Sequence, residues 1–145
     1  MKKRIACISL ALILLAFSIP TTAEDVFVPE STSDRRASEL IKSYSCAFIC
    51  SGRTLQATSR ITATDVVDKV GISRLEIQEK RGSDWVAVKW VEDKYDYNDS
   101  NHSYTLTYTG RKGYEYQAVA KFYVEDGSLS DTASRTSTRK EIPAT

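Results

Sequence analysis

Apolar and polar residues alternate with a period of two along most of the chain after residue 43. The alternation is most regular over residues 54–63, where every second residue is polar. The remaining positions there are apolar or small: Leu55, Ala57, Ser59, Ile61 and Ala63. Because successive side chains of a strand point to opposite faces, this pattern predicts a β-strand with one buried and one solvated face.

Similar alternation, divided by turn-forming residues, predicts seven strands in all. We place them at residues 44–51, 54–63, 72–80, 85–91, 104–108, 114–124 and 131–138. Turns at about every 8–12 residues, without a long helical period, are typical of an all-β antiparallel sandwich. We therefore predict one β-sandwich domain over residues 44–142. Its main core residues are predicted to be Leu55, Ile61, Leu75, Ile77, Tyr116 and Phe122.

Two segments interrupt the alternation and are predicted to connect strands. Residues 64–71 are expected to form a loop or short helical turn that places Val66, Val67 and Val70 on the core. Residues 92–102 are the longest polar stretch inside the domain and are expected to form a surface loop.

The first 23 residues have the composition of a bacterial secretory signal. A basic start ending at Arg4 is followed by an uncharged apolar run over residues 5–19, and small residues precede a predicted cut after Ala23. A permanent membrane anchor is the alternative, but the run is shorter than the roughly 20 residues that span a bilayer. We therefore expect a secreted, extracellular or cell-wall-associated protein.

Residues 24–43 separate the predicted leader from the domain. They are polar and irregular, and they are predicted to be an arm or linker. A short helix over residues 34–42 is the alternative.

Net charge narrows the choice of partner. The predicted leader holds three of the 20 Lys and Arg residues and none of the 19 Asp and Glu residues, so the mature chain carries a charge of −2. Nucleic acids and anionic membranes attract strongly basic surfaces. We therefore expect neither as a partner, and predict binding to a protein or a cell-wall glycan.

Two cysteines remain after the leader, Cys46 and Cys50. On a strand they lie about 13 Å apart on one face, whereas a disulfide needs Cα atoms within about 7 Å. We expect two free, buried thiols and a monomer. A bridge formed at a tight turn and an intermolecular disulfide that makes a dimer are the alternatives.

The order of these features resembles a fibronectin type III or immunoglobulin-like domain. Residues 72–90 resemble the C–C′ hairpin of that family, and residues 108–124 (YTGRKGYEYQAVAKFYV) resemble its E–F corner and F strand. The resemblance implies that Tyr116 is a corner tyrosine, with its ring in the core and its hydroxyl bonded to backbone near the turn. The second predicted strand lacks the tryptophan common in that family, and Trp85 and Trp90 lie on the hairpin instead.

A second resemblance is to small exported proteins of clostridial-type Firmicutes that have a signal peptide, a polar arm and one β-domain. It is carried by residues 62–73, 76–88 and 108–116 and covers residues 44–142. These motifs describe turns and core, and that family is of unknown function. The resemblance therefore implies export and a fold, but no activity.

Residue types that carry catalysis are few. His102 is the only histidine, and we expect it at a loop end, away from the cysteines. We therefore predict no catalytic residue, no cofactor and no structural zinc site. A weak calcium site is the metal candidate, because Asp96, Asn98 and Ser100 follow the spacing of a calcium loop, although its bidentate Glu is missing. The candidate ligands are Asp93, Asp96, Asn98 and Asp99.

Aromatic residues provide the candidate binding site. Trp85 and Trp90 are five residues apart on one predicted strand, so we expect them on opposite faces, at most one of them in the core. Tyr95 and Tyr97 follow in the polar stretch. Exposed rings can stack on the apolar face of a sugar, so these four residues are predicted to bind ligand. The alternative is that their rings cap the core and its rim.

These observations favour a non-catalytic exported β-sandwich protein that binds a protein or envelope partner or acts as a structural module. A carbohydrate-binding module that uses the rings between Trp85 and Tyr97 is the alternative. A hydrolase is the third candidate, and it would need an open groove lined by carboxylates such as Asp93, Asp96 and Glu125.

Overall fold

The structure is a computed structural model that describes residues 39–145. The predicted signal peptide and residues 24–38 of the predicted arm lie outside the described residues. The regular secondary structure of the described residues is entirely β-strand. These residues contain no helix that is long and apolar enough to cross a membrane. The strands are β1 (Ile41–Ser51), β2 (Thr54–Arg81), β3 (Asp84–Thr109), β4 (Tyr114–Asp126), β5 (Leu129–Thr136) and β6 (Lys140–Ile142).

All six strands belong to one antiparallel sheet with β2 at its centre. β3 pairs with β2 along nearly the whole length of both strands. On the other edge of β2, β1 pairs with the first half and β4 with the second half. β5 and β6 both pair with β4. The all-β antiparallel prediction is therefore confirmed.

The number of strands is six, and the prediction of seven is wrong. Both predicted connections are continuous strand: residues 64–71 lie inside β2, and residues 92–102 lie inside β3. Each therefore joins two predicted strands into one. The short β6 adds a strand that the alternation does not predict, because it is only three residues long.

Irregularities within the strands explain why these segments do not alternate. The β2–β3 register shifts between Thr62 and Val67, and this bulge leaves Val66 60% exposed while Val67 and Val70 are buried. The expectation that Val66 reaches the core is therefore wrong. In β3, Asp93 and Asn98 have φ of 54°, a conformation that Asp and Asn tolerate better than most residues.

The sheet curls so that the inner faces of its two halves share one core. Tyr44 of β1 and Phe122 of β4, which pair with opposite halves of β2, have ring centroids 5.4 Å apart. The alternation correctly predicts the main core residues. These six residues are each at most 1% exposed: Leu55, Ile61, Leu75, Ile77, Tyr116 and Phe122.

One end of this core contains a buried carboxylate, Glu79 of β2, which is 0% exposed. Glu79 accepts hydrogen bonds from the Tyr116 hydroxyl at 2.7 Å, from Arg81 Nε at 3.0 Å and from the Arg111 guanidinium. The Tyr116 hydroxyl in turn accepts a bond from the backbone N–H of Arg111 at 2.8 Å. The tyrosine therefore bonds backbone near the turn before β4 and also supports the only carboxylate among the fully buried side chains of the described chain.

Candidate binding surface on the outer face

A single bulged residue in β3 decides where the two tryptophans point. Ala87 pairs with Gln78 and Lys89 with Ile77, so Val88 has no partner in β2. Trp85 pairs with Lys80 and Trp90 with Glu76. Lys80 and Glu76 both alternate with the buried residues of β2 and therefore lie on the outer face.

Because paired residues point to the same side of a sheet, Trp85 and Trp90 share the outer face. The expectation of opposite faces is wrong, since it assumed a strand without the Val88 bulge. Trp90 is 52% exposed and Trp85 is half-buried. Each ring has a guanidinium over it: Arg74 lies 5.5 Å from the Trp90 centroid and Arg139 lies 5.4 Å from the Trp85 centroid.

Tyr95 and Tyr97 lie on the same face further along β3. They pair with Gly71 and Lys69, and Gly71 pairs on its other side with Tyr123 of β4. The Lys69 ammonium lies 4.2 Å from the Tyr95 centroid and 5.2 Å from the Tyr123 centroid. Tyr97 is 65% exposed. We call Trp85, Trp90, Tyr95 and Tyr97, with the sheet surface between them, the aromatic face.

Tyr95 is held in its protonated form. Burial raises the pKa of Tyr95 to about 12, and the charge and hydrogen bond of Asp93 contribute to the increase. Its hydroxyl donates to Asp93 Oδ1 at 3.2 Å. At neutral pH the ring is therefore an uncharged phenol with a fixed orientation.

A line of hydrogen-bonded polar side chains crosses the aromatic face between the rings. Arg74 donates to Glu92 Oε1 at 2.5 Å and to Glu76 Oε2 at 2.6 Å. The other oxygen of Glu76 accepts from the amide of Gln78, and Gln78 accepts from the amide of Gln117 at 2.7 Å. We call these five residues the polar ladder. Its members fix one another's orientation, so the surface around Trp90 is rigid.

His102 is inside the protein and not at a loop end as expected. It pairs with Ile61 on the inner face of the sheet and is 8% exposed. Its Nδ1 lies 2.8 Å from Asp96 Oδ2, while Nε2 is buried without a hydrogen-bond partner among the described residues. The carboxylate can only accept, so Nδ1 carries the proton of this bond. The pair connects two residues of β3 on either side of the positive-φ residue Asn98, beside an open cavity of about 420 Å³.

The calcium candidate is not assembled. Asp93 bonds the Tyr95 hydroxyl, Asp96 bonds His102, and Asp99 bonds the backbone N–H groups of Ser100 and Asn101. Over residues 39–145 no group of three or more metal-binding side chains is present. The spacing fails because these residues lie on an extended strand and not in a closed loop, so their side chains do not converge on one point.

The carboxylates proposed for a hydrolase groove are also separated. Asp93 and Glu125 each bond a tyrosine of the outer face, at Tyr95 and Tyr123. Asp96 pairs with Val70, which is buried, and its carboxylate bonds His102. The three carboxylates therefore do not line one groove.

Both described cysteines are free, in agreement with the strand-spacing argument. They are half-buried and not fully buried as expected, because β1 has a neighbour on only one edge. Burial raises the pKa of the Cys46 thiol to about 11, while the charge of Arg135 acts in the opposite direction. Cys50 Sγ lies 3.4 Å from the carbonyl oxygen of Gly52.

Sequence reasoning missed the bulge at Val88, the polar ladder and the buried Glu79. The bulge has no sequence signal of its own, because residues 85–91 contain no glycine, proline, asparagine or aspartate. Glu79 had a signal: it occupies the inward position that follows Leu75 and Ile77 in the alternation. A carboxylate at an inward position predicts a cationic partner that reaches it.

Comparisons with known proteins identify a structural neighbour but no relative. No family model matches the chain, and no curated protein matches it. Among solved structures the chain is similar to Spo0M, a sporulation control protein from Bacillus subtilis, at 9% sequence identity and a TM-score of 0.39. The match covers 65% of this chain and 47% of that protein, so the chain spans about half of its neighbour's length.

Proposed function

We propose that this protein is a non-catalytic binding module that is exported and engages a partner of the cell envelope through the aromatic face. One observation supports this most directly. The bulge at Val88 places Trp85 and Trp90 on the same outer surface, where Trp90 is 52% exposed. An exposed tryptophan on a rigid sheet is a typical anchor for binding, because its large ring is buried at little entropic cost.

The remaining chemistry of the domain supports a binding role over a catalytic one. His102 is buried and bonded to Asp96, and the Cys46 thiol has a raised pKa, which makes it a poor nucleophile at neutral pH. The aromatic face, in contrast, combines exposed rings with polar groups that are already oriented.

The proposal also includes the kind of all-β fold. A fibronectin type III or immunoglobulin-like sandwich is supported by the corner hydrogen bond between the Tyr116 hydroxyl and the Arg111 N–H. Export rests on the composition of residues 1–23 and on the resemblance to small exported Firmicutes proteins. Cleavage is tested by determining the N-terminal residue of the protein that its host releases. Glu24 as the first residue supports export, and recovery of the intact chain in carbonate-washed membranes contradicts it.

The binding role is tested by sedimentation of the full chain, expressed with its own leader and a C-terminal tag, with insoluble cell-wall material of its host. We expect saturable binding that is reduced at least about tenfold by Trp90→Ala. Ile49→Ala is the matched control, because Ile49 is 55% exposed on β1 and outside the aromatic face. Equal binding by the wild type and Trp90→Ala would contradict the proposed function.

A further inference from the structure

We propose that the aromatic face binds an uncharged glycan chain that lies along β3. This inference rests on the proposed function and names the chemical class of its ligand. It follows from the spacing of the rings, the balance of charge between them and the orientation of the polar ladder.

The spacing of the rings indicates an extended ligand. Trp85 and Trp90 pair with β2 residues four positions apart, and Trp90 and Tyr95 with residues five positions apart. At about 3.3 Å per residue, the rings recur at about 13 and 16 Å along the strand. Tyr97 lies about 7 Å beyond Tyr95. A ligand that touches three of these sites must be a chain, since a single sugar reaches one ring only.

Charges of both signs are mixed on this surface. Arg74 pairs with Glu76 and Glu92, and Lys80 pairs with Glu115 at 2.9 Å. Two further cations, Lys69 and Arg139, lie over aromatic rings. Three carboxylates stand beside these four cations, so an acidic polymer would meet repulsion along with attraction. The surface is therefore better matched to a ligand without charge.

The same ion pairs argue against a protein as the principal ligand. The centre of a protein interface is depleted of charged residues and contains a continuous apolar patch. Here the polar ladder, with its three charged members, lies between the rings. Separate rings with oriented carboxylate and amide groups between them suit a sugar chain, which alternates apolar ring faces with hydroxyl groups.

The test is titration of the full exported chain with neutral oligosaccharides of one to six residues, built from glucose, N-acetylglucosamine or xylose. Tryptophan fluorescence and calorimetry follow the binding. We expect affinity for at least one series to rise with chain length, to fall at least about tenfold in Trp85→Ala and Trp90→Ala, and to change little with salt. Ile49→Ala should bind as the wild type, and Trp90→Phe should retain part of the affinity because it keeps a ring.

Other outcomes overturn the inference. Tighter, salt-sensitive binding of polygalacturonate would make the ligand an acidic polymer. Failure of every neutral series to bind, or binding independent of both tryptophans, would exclude the proposed glycan site. If host wall material still binds and depends on Trp90, while neutral glycans neither bind nor compete, the binding function stands and the glycan assignment fails. If wall binding itself does not depend on Trp90, the proposed function fails first.

Discussion

Replacing Glu79 by Gln removes the buried carboxylate while keeping nearly the same shape. The Arg111 guanidinium makes the largest contribution to lowering the pKa of Glu79, and the Tyr116 hydroxyl and Arg81 add to it, so the pKa falls from 4.5 to about 2. The folded protein therefore holds Glu79 ionised at pH values where the unfolded chain binds a proton. The resulting stabilisation is present above pH 4.5 and is lost as the pH falls from 4.5 through 2.

The size of this effect follows from the pKa change. A tenfold change in proton affinity is equivalent to about 1.4 kcal/mol, which gives about 3 kcal/mol for Glu79. The side chains of Arg81 and Arg111 are 53% and 49% exposed. Because water and salt weaken such partly exposed pairs, we expect about 2 kcal/mol in practice.

Urea unfolding at pH 7.0, 4.5 and 3.0, followed by tryptophan fluorescence, measures this effect. Glu79→Gln should be less stable than the wild type by about 2 kcal/mol at pH 7.0, and the difference should shrink as the pH falls. Glu115→Gln, which removes a surface partner of Lys80, is the control and should show no measurable change. A Glu79→Gln protein that matches the wild type at every pH would refute the buried network.

Three further predictions concern packing and reactivity. Tyr116→Ala should lower the free energy of unfolding by about 3 kcal/mol because its ring is fully buried, whereas Thr58→Ala on the outer face should lower it by less than about 0.5 kcal/mol. If urea unfolding gives equal losses for the two variants, the strand faces are assigned wrongly. Gly71→Ala should destabilise the protein by about 1–3 kcal/mol, since a Cβ there would collide with the backbone carbonyl of Lys94. A thermal unfolding midpoint equal to that of the wild type would contradict that contact. Cys46 should be alkylated at pH 8 more slowly than a cysteine in an unfolded peptide, because burial raises its pKa to about 11. Mass spectrometry after timed alkylation measures both rates, and equal rates would contradict the prediction.

The faces of the strands could be predicted because burial imposes a period of two. Leu55, Ile61, Leu75 and Ile77 are all at most 1% exposed, as their alternation indicates. The lengths of the strands could not be predicted. A bulge keeps the hydrogen-bonded pairing but breaks the period, so the segment from Thr62 to Val67 resembles a connection in sequence while remaining part of β2.

Polar strands present a related difficulty. The sequence predicts a loop over residues 92–102 because few of them are apolar. β3 pairs only with β2 and has no neighbour on its other edge, so its side chains lie largely in solvent. Nothing in such a composition distinguishes an edge strand from a surface loop, because both are solvated. The sequence therefore identifies Tyr95 and Tyr97 as candidates but does not show that a sheet orients them.

The Val88 bulge connects the fold to the proposed site and can be tested directly. Deleting Val88 would remove the unpaired residue and leave the other pairs of β2 and β3 in place, so that Trp85 keeps Lys80 and Trp90 keeps Glu76 as partners on the outer face. In a Trp90→Phe background, where Trp85 is the only tryptophan, the deletion should therefore leave the emission wavelength and the acrylamide quenching of Trp85 nearly unchanged. In a strand without the bulge, the same deletion would turn Trp85 to the opposite face and change both. A large change in emission and quenching would therefore contradict the bulge, and the shared face of the two rings, on which the binding proposal depends, would then require a different cause.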